Sequence, residues 1–523
     1  MSTGSALAAW KAAGPFGGAV EAVASLHQPG HALAGTPSAL LFRTSNAGRD
    51  WTRVPFPAEL NSTLHALFAD PARPERWLAA VSPESPGGSG LWRTTDAGAS
   101  WKPVEEFRGK NVWALAGFPA DPAIAAAGAS DGVYRSRDGG ASWTRLPADR
   151  PEELRPVVSL AFDPRSPDRL FVGTTHLPWR TDDAGAHWES AHQGMLDDSD
   201  VFAIHVDQRD PLRVLASACS GMYSSTDGGR KWTRLRGSAD ASMRTYVILR
   251  SPEDPGVVLA GTSHGLIRSA DRGATWKEVL PHRIKSLTFD GSSGMGLFAA
   301  TSAGVFHSAD SGVTFQEANT GLAARDVRVI ALAGASVAVS NGGVTVLGED
   351  GSWTKTGGPP FIALAALPEG GMAGITPSSA YQRVRGRWVP VPKPPGRLQS
   401  IAFRDAALWI GTTTGLYRRT TKAPAWTLAS PRFKGQAVHF TDGVCANGRG
   451  VAMVRSAAGW ALMSPPHREP SGIRPRCRAA RYSQRLHMAC SAQPTPDKAG
   501  PPRKARLADP PPPQFSRIRL YPA

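Results

Sequence analysis

Cysteine is scarce in this sequence, and long apolar runs are absent. The 523 residues include four cysteines, Cys219, Cys445, Cys477 and Cys490, which are too few and too scattered for a dense disulfide framework or a CxxC metal site. Their spacing leaves the redox state of the thiols open. No stretch approaches 18 consecutive apolar residues, so the sequence predicts no membrane-spanning helix.

Acidic residues are also under-represented, with 43 Asp and Glu against 59 Lys and Arg and a net charge of +16. The segment from Pro466 to Ala523 holds 12 of these basic residues and only 3 acidic ones, which is over half of the excess. We therefore predict a mildly basic surface elsewhere, with nucleic-acid binding confined to this tail if it occurs. Met1 is followed by Ser, Thr and Gly rather than by the basic segment and apolar run of an export signal.

The sequence does contain a motif that occurs seven times. Each copy, which we call a box, reads Ser or Thr, any residue, Asp, any residue, Gly, two residues and an aromatic. The acidic or amide residue and the aromatic residue of the seven boxes are Asn46 and Trp51, Asp96 and Trp101, Asp138 and Trp143, Asp183 and Trp188, Asp227 and Trp232, Asp271 and Trp276, and Asp310 and Phe315. Successive aromatics are 50, 42, 45, 44, 44 and 39 residues apart, which is the length of a four-stranded propeller blade.

The residue types of the box predict a structural role. The Asp side chain can accept hydrogen bonds from backbone N–H groups of a turn, the Gly permits a positive φ, and the aromatic packs on the neighbouring blade. Such a set closes a β-hairpin. We assign no catalytic, cofactor-binding or metal-binding residue.

The repeat continues beyond the last box. Trp353, Trp388, Trp426 and Trp460 follow Phe315 at intervals of 38, 35, 38 and 34 residues, which brings the total to about eleven units. Because propellers ordinarily close with four to eight blades, an all-β fold of two propellers in tandem is favoured, with one large ring of about ten blades as the alternative. The predicted segments are box-rich blades in residues 1–325, degenerate blades in 326–465 and a basic, Pro-rich tail in 466–523.

The segments Trp10–Val20 and Gly132–Trp143 carry a family resemblance. With the boxes, they resemble the Asp-box (bacterial neuraminidase repeat) β-propeller superfamily, which groups sialidases, xyloglucanase-type glycosidases, sortilin and the photosystem II stability/assembly factors. The bacterial relatives of the assembly factor are the most similar in these segments. The resemblance implies a protein that acts outside the cytoplasm, in the periplasm or secreted.

Two functional classes fit this scaffold. A sialidase needs an arginine triad, yet Phe42-Arg43-Thr44 is better explained as the start of the first box, since Arg93, Arg135 and Arg268 stand at the matching place. The acidic residues sit mostly in boxes or Asp-Pro turns, and none stands out as a candidate for glycosidic acid/base chemistry. We interpret the chain as a non-enzymatic interaction scaffold that holds a protein or glycan partner through loops between blades, without a cofactor. The alternative is an extracellular glycoside hydrolase of the sialidase/xyloglucanase type.

Overall fold

The computed structural model is almost entirely β-structure, which confirms the predicted fold class. It describes residues 16–58, 62–148, 152–196, 200–235, 243–291, 294–324, 327–332, 336–340, 343–347, 353–368, 371–404, 406–420, 425–429, 434–435, 437–441, 451–456 and 459–463. The predicted basic tail, with Cys477 and Cys490, and Cys445 lie outside these residues. In the described part of the chain, no helix has the length and apolar character needed to cross a membrane.

Ten four-stranded antiparallel sheets follow one another along the chain, each with its strands in sequence order. We call them blades 1 to 10. Blades 1 to 4 contain, in order, β1 (Ala22–Ser25), β2 (Ala32–Gly35), β3 (Leu41–Thr44) and β4 (Thr52–Val54); β5 (Thr63–Ala69), β6 (Trp77–Ser82), β7 (Leu91–Thr94) and β8 (Lys102–Pro103); β9 (Val112–Phe118), β10 (Asp121–Ala129), β11 (Gly132–Ser136) and β12 (Thr144–Arg145); and β13 (Val157–Asp163), β14 (Ser166–Thr174), β15 (Pro178–Thr181) and β16 (Glu189–Ser190). A single 3-10 turn, Glu105–Phe107, separates blades 2 and 3.

Blades 5 to 10 repeat the same plan. Their strands are β17 (Val201–Val206), β18 (Val214–Ala218), β19 (Gly221–Ser225) and β20 (Thr233–Arg234); β21 (Thr245–Arg250), β22 (Val258–Thr262), β23 (Leu266–Ser269) and β24 (Lys277–Leu280); β25 (Ile284–Asp290), β26 (Gly296–Thr301), β27 (Gly304–Ser308) and β28 (Gln316–Glu317); β29 (Val327–Leu332), β30 (Ser336–Ser340), β31 (Gly343–Leu347) and β32 (Trp353–Lys355); β33 (Ala363–Ala366), β34 (Met372–Ile375), β35 (Ala380–Val384) and β36 (Arg387–Val391); and β37 (Leu398–Arg404), β38 (Ala407–Thr412), β39 (Gly415–Thr420) and β40 (Thr427–Leu428). They are followed by β41 (Ala437–Thr441), β42 (Val451–Ser456) and β43 (Gly459–Met463), of which β42 pairs antiparallel with β43.

The apolar core lies between neighbouring blades. The second strands show why: Ala125-Ala126-Ala127-Gly128-Ala129 of β10 and Val214–Ala218 of β18 are buried along their length, because both faces of the sheet are covered. Small side chains in these strands let adjacent blades approach closely. At Gly128, for example, a Cβ atom would lie 2.5 Å from the Val157 side chain of the next blade.

The first seven blades form a closed ring. One apolar cluster joins Phe42 and Trp51 of blade 1 to Phe298 and Val305 of blade 7. The Trp51 indole N–H donates to the carbonyl of Ala318, which follows blade 7, at 2.7 Å.

The junction between blades 7 and 1 repeats one between consecutive blades. Trp232 of blade 5 donates in the same way to Ala191 after blade 4, at 2.8 Å. The backbone N–H of Trp51 bonds to Thr320 O and that of Trp232 to Gln193 O, both at 2.8 Å. Blade 7 is therefore adjacent to blade 1 in the same arrangement as blade 4 is to blade 5.

Closure after seven blades corrects the alternative of a single ring of about ten blades. Blade 1 meets blade 7 rather than a later sheet, so blades 8 to 10 lie outside this ring. β33 of blade 9 lies between β29 of blade 8 and β37 of blade 10. The chain divides into two compact units, residues 1–439 and 440–523. The predicted segment boundaries at 325 and 465 stay predictions.

Candidate functional site

The seven boxes all adopt one turn, built around the hydroxyl of their first residue. This Ser or Thr ends the third strand and is buried, and its Oγ donates to the Oδ1 of the box Asp or Asn at 2.6–3.0 Å. The same oxygen accepts the N–H of the box Gly at 2.8–3.1 Å. The hydroxyl thus satisfies a buried backbone donor.

The Asp of each box closes the other side of the turn. Its Oδ1 accepts the backbone N–H four residues later at 2.8–3.0 Å, and Asn46 does the same in the first box. Hydrogen bonds from Ser100, His187 and Thr275 lower the pKa of Asp96, Asp183 and Asp271, respectively, to about 2. At Asp138 and Asp310 burial opposes this effect, but the hydrogen bonds outweigh it and the pKa is again lowered to about 2.

The box aromatics lie between blades. Trp51, Trp143, Trp188 and Trp232 are buried, whereas Trp101, Trp276 and Phe315 are half-buried. The indole N–H of Trp188 donates to Pro147 O of the preceding blade at 2.9 Å, as Trp51 and Trp232 do at their own junctions. The aromatics therefore connect each blade to the one before it.

The arginine that precedes a box connects its blade to the next one. Arg93, Arg180 and Arg268 donate to the carbonyls of Gly139, Gly228 and Ser311, which lie in the following box, at 2.9–3.0 Å. Arg43, the residue weighed as part of a sialidase motif, lies with its guanidinium 5.8 Å from the centre of the Trp77 ring in blade 2. The repeated Arg is thus an inter-blade contact.

A second repeated feature lies at the opposite end of the ring from the boxes. The innermost strand of blades 2 to 7 has a β-bulge near its start, between paired residues such as Val201 and Ala203. Glu21 takes this place in blade 1, where its N–H bonds to the carbonyl of Gly35, the partner of Ala22. Bulges redirect side chains. We call the six bulged residues and Glu21 the inner ring: Glu21, His65, Trp113, Val158, Phe202, Tyr246 and Lys285.

All seven inner-ring side chains are half-buried, and several contact the inner-ring side chain of the next blade. The rings of Phe202 and Tyr246 are 5.9 Å apart, and Lys285 Nζ lies 4.4 Å from the centre of the Tyr246 ring. Lys285 Nζ also lies 3.5 Å from Glu21 Oε2, and Arg283 approaches Glu21 Oε1 to 3.9 Å. The inner ring therefore has two sides. One is an apolar, aromatic arc that includes Phe202 and Tyr246, and the other is a charged arc that includes Lys285 and Glu21, with Arg283 beside it.

His65 belongs to the charged arc but is neutral at physiological pH. Burial, together with the charge of Lys285, lowers its pKa to about 4. Its Nε2 lies 2.8 Å from Ser82 Oγ. The charged arc thus carries the cations of Lys285 and Arg283 against the single carboxylate of Glu21.

The described carboxylates with a clear pKa shift are all shifted downward. They are Asp96, Glu105, Asp138, Asp182, Asp183, Asp207, Asp227, Asp271 and Asp310. A carboxyl group with a lowered pKa stays deprotonated at neutral pH, whereas a general acid needs a raised pKa to hold its proton. Among the residues that the structure describes, no grouping of His, Cys, Asp and Glu is arranged to hold a metal ion.

Sequence reasoning did not identify the inner ring. Its members differ in type from blade to blade, so no repeated residue marks them, and they lie 39–48 residues apart. The available signal is positional: each stands directly after the first buried residue of the inner strand, or follows Val20 in the case of Glu21. Aligning the blades on that residue finds the set.

Sequence similarity to known families covers part of the chain. The family model of sortilin, neurotensin receptor 3, matches residues 131–258. No curated protein shows significant sequence similarity to the chain.

Three solved structures illustrate the similarity in fold. An ancestral GH74 enzyme is 14% identical, with a TM-score of 0.67 over 88% of this chain and 78% of that chain. The GH74 xyloglucanase of Xanthomonas campestris is 14% identical, with a TM-score of 0.52 over 86% of this chain and 92% of its own. PorZ, a surface component of the type-IX secretion system of Porphyromonas gingivalis, is 14% identical, with a TM-score of 0.54 over 85% of this chain and 64% of its own. The chain therefore has the β-propeller fold that the boxes predicted.

Proposed function

We propose that the chain is a non-enzymatic interaction scaffold that holds a protein or glycan partner at the inner-ring mouth of the seven-bladed propeller, with help from the loops between blades. The observation that carries the proposal is the composition of the inner ring. On one circle of strands it combines the aromatic residues Trp113, Phe202 and Tyr246 with the charged residues Lys285 and Glu21, and Tyr246 lies next to both Phe202 and Lys285. Aromatic rings with a polar edge next to charges are typical of binding surfaces.

The rigidity of the mouth supports recognition. Each inner-ring residue lies in the innermost strand of its blade or, for Glu21, directly before it. That strand pairs with the second strand of the blade and packs against the neighbouring blades, so the position of the residue does not depend on a long loop. A preorganised surface loses little conformational entropy when a partner binds. Nearby loops, such as the one that carries Arg283, add contacts that differ from blade to blade.

The alternative, a glycoside hydrolase, requires two carboxylates across a groove, one of them a proton donor. The GH74 enzymes share the fold with this chain at 14% identity, which supports the architecture only. The lowered pKa values of the shifted carboxylates favour the scaffold. Hydrolysis of a panel of chromogenic glycosides and xyloglucan by the purified protein would overturn this proposal.

The binding proposal is tested by replacing one inner-ring aromatic. Ligands are first identified on a glycan array and by affinity capture of proteins with the full-length chain. Tyr246→Ala is expected to weaken capture at least tenfold without changing the melting temperature, because it removes the ring that contacts both Phe202 and Lys285. Leu212→Ala, at an exposed apolar residue on the box end of blade 5, is the control and should bind normally. Equal binding by both variants would place the partner elsewhere.

A further inference from the structure

Positive charge is concentrated in two neighbouring blades. Residues 371–440, which include most of blades 9 and 10, contain 11 Lys and Arg and a single acidic residue. Residues 1–370 contain 34 Lys and Arg and 38 Asp and Glu, so this much longer segment has a slight negative charge. The mildly basic surface predicted outside the tail is therefore an average over a slightly acidic segment, residues 1–370, and a strongly basic one, residues 371–440.

The cations of blades 9 and 10 lie at the surface. We call the basic surface the set of eight whose side chains are described, all half-buried or exposed: Arg383, Arg385, Arg387, Lys393, Arg397, Arg418, Arg419 and Lys434. Within the described part of the chain, none of the eight forms an ion pair with a carboxylate. Arginines of the seven-bladed ring behave differently, as Arg135 and Arg250 are buried and pair with Asp168 and Asp207 at 3.0 and 3.1 Å.

The basic surface extends along the outer strand of blade 9. Arg385 occupies the hairpin turn before β36, Arg387 begins that strand, and Lys393 and Arg397 follow its end. Five residues of strand cover about 16 Å. The charges therefore form a track along the blade, which suits a linear partner better than a flat one.

Apolar side chains are exposed beside this track. Val384 and Val389 are 48% and 43% exposed, which is high for valine in a strand. Val389 shares a sheet face with Val391, which packs against the core between blades 9 and 10. Val389 is thus on the side of β36 that faces blade 10.

Blade 10 contributes cations stacked on indole rings. Arg419 is paired with Leu408, which packs in the core shared with blade 9, so Arg419 lies on the same side, 6.0 Å from the centre of the Trp426 ring. Arg418, the preceding residue of the strand, lies on the opposite face of blade 10, 5.6 Å from the centre of the Trp409 ring. Such contacts hold the guanidinium plane while its edge stays available for hydrogen bonds.

We propose that the basic surface of blades 9 and 10 binds single-stranded nucleic acid. Six of the eight cations are Arg, whose planar fork matches phosphate oxygens, and among the described residues none of the eight is paired with a carboxylate. Trp426 and the exposed valines provide apolar contact for unstacked bases, which a duplex does not present. This function is separate from partner binding at the inner ring.

The test measures binding of fluorescein-labelled thirty-nucleotide oligo(dT) to the full-length protein by fluorescence anisotropy across a salt series. The variant R385Q/R387Q/R419Q is expected to bind at least tenfold more weakly than the unsubstituted protein. The slope of log K against log salt should fall by about 0.7 for each lost phosphate contact. The control R49Q/R53Q/R209Q removes three exposed arginines from the seven-bladed ring and the same net charge, and it should bind like the unsubstituted protein.

Competitors distinguish nucleic acid from other polyanions. Oligo(dT) should bind more tightly than a duplex of the same length and should resist displacement by heparin at an equal concentration of charges. Equal weakening of both triple variants, or of neither, would overturn the proposal by assigning binding to net charge or to the basic tail. Binding to anionic lipid vesicles or heparin without binding to oligo(dT) would also overturn it.

Discussion

At the scale of single residues, the box depends on a buried hydroxyl as much as on its aspartate. Ser136 Oγ donates to Asp138 Oδ1 and accepts the N–H groups of Asp138 and Gly140. The aspartate is exposed, so its hydrogen bonds compete with water, whereas the hydroxyl serves a donor that water does not reach. The first position of the motif is therefore structurally as informative as the third.

Replacing this hydroxyl should destabilise the propeller. Ser136→Ala leaves the buried N–H of Gly140 without an acceptor, which costs about 1–3 kcal/mol of unfolding free energy. Urea unfolding monitored by tryptophan fluorescence measures the change. Ser136→Thr is the matched control, since Thr44, Thr94 and Thr181 occupy the same position in other boxes, and it should stay within about 0.5 kcal/mol of the unsubstituted protein. Equal stability of the Ala variant would contradict the role of the hydroxyl.

The box aspartates should make the protein sensitive to acid. Five of them have a pKa lowered to about 2 from an ordinary value of 3.8. Because the folded-state pKa is the lower one, their contribution to stability is complete above pH 3.8 and is lost as the pH falls towards 2. The unfolding free energy should therefore decline over this interval.

The variant Asp138→Asn measures how much one box contributes to the decline of unfolding free energy at low pH. Asn46 shows that an amide fits the turn, since its Oδ1 accepts the N–H of Asp50 at 3.0 Å. Asp138→Asn should give a shallower dependence of unfolding free energy on pH between 4 and 2, measured by denaturant titrations at several pH values. An unchanged slope would show that Asp138 titrates alike in the folded and unfolded states.

At the scale of elements, the connections between blades position the sheets. The connection after blade 7, Ala318–Leu322, and that after blade 4, Ala191–Met195, both place a glycine against a box tryptophan of the next blade. A Cβ on Gly321 or Gly194 would lie 2.2 Å from the carbonyl oxygen of Trp51 or Trp232. Both glycines also have positive φ, at 81° and 92°. The junction therefore admits no larger residue.

Substitution at the ring-closing connection should weaken the whole ring. Gly321→Ala combines a strained φ with a backbone clash, so we expect a loss of more than about 1 kcal/mol. Gly357→Ala is a matched control, because Gly357 has a φ of 67° with no atom near the added Cβ. Differential scanning calorimetry should show a lower melting temperature for Gly321→Ala than for Gly357→Ala. Equal melting temperatures would mean that the connection relaxes without cost.

At the scale of the whole molecule, closure gives the seven-bladed ring its own continuous core. Every blade of the ring buries its two faces against neighbours, and the cluster between blades 7 and 1 leaves no sheet face uncovered there. Stability in such a structure comes from neighbouring repeats. Removing one blade exposes two apolar faces at once.

A fragment that ends after blade 7 should therefore fold alone. We expect residues 1–326 to be monomeric and to melt cooperatively in calorimetry and size-exclusion chromatography. Residues 1–282, which lack blade 7, should unfold or aggregate because Trp51 loses its acceptor Ala318 and its packing partner Phe298. A stable shorter fragment would show that closure is dispensable, and an unfolded longer one would place the segment boundary elsewhere.

The repeating unit was predictable from the sequence because its chemistry is local. Box hydroxyl, aspartate, glycine and aromatic act within eight residues, so their recurrence predicted the hairpins and the four-stranded blades. Closure was not determined in this way, because it depends on complementarity between residues as distant as Trp51 and Ala318. The inner ring and the basic surface were also decided only by tertiary structure, since residues from different blades, unlike in type, meet there through the curvature of the sheets around the channel and the packing of neighbouring blades.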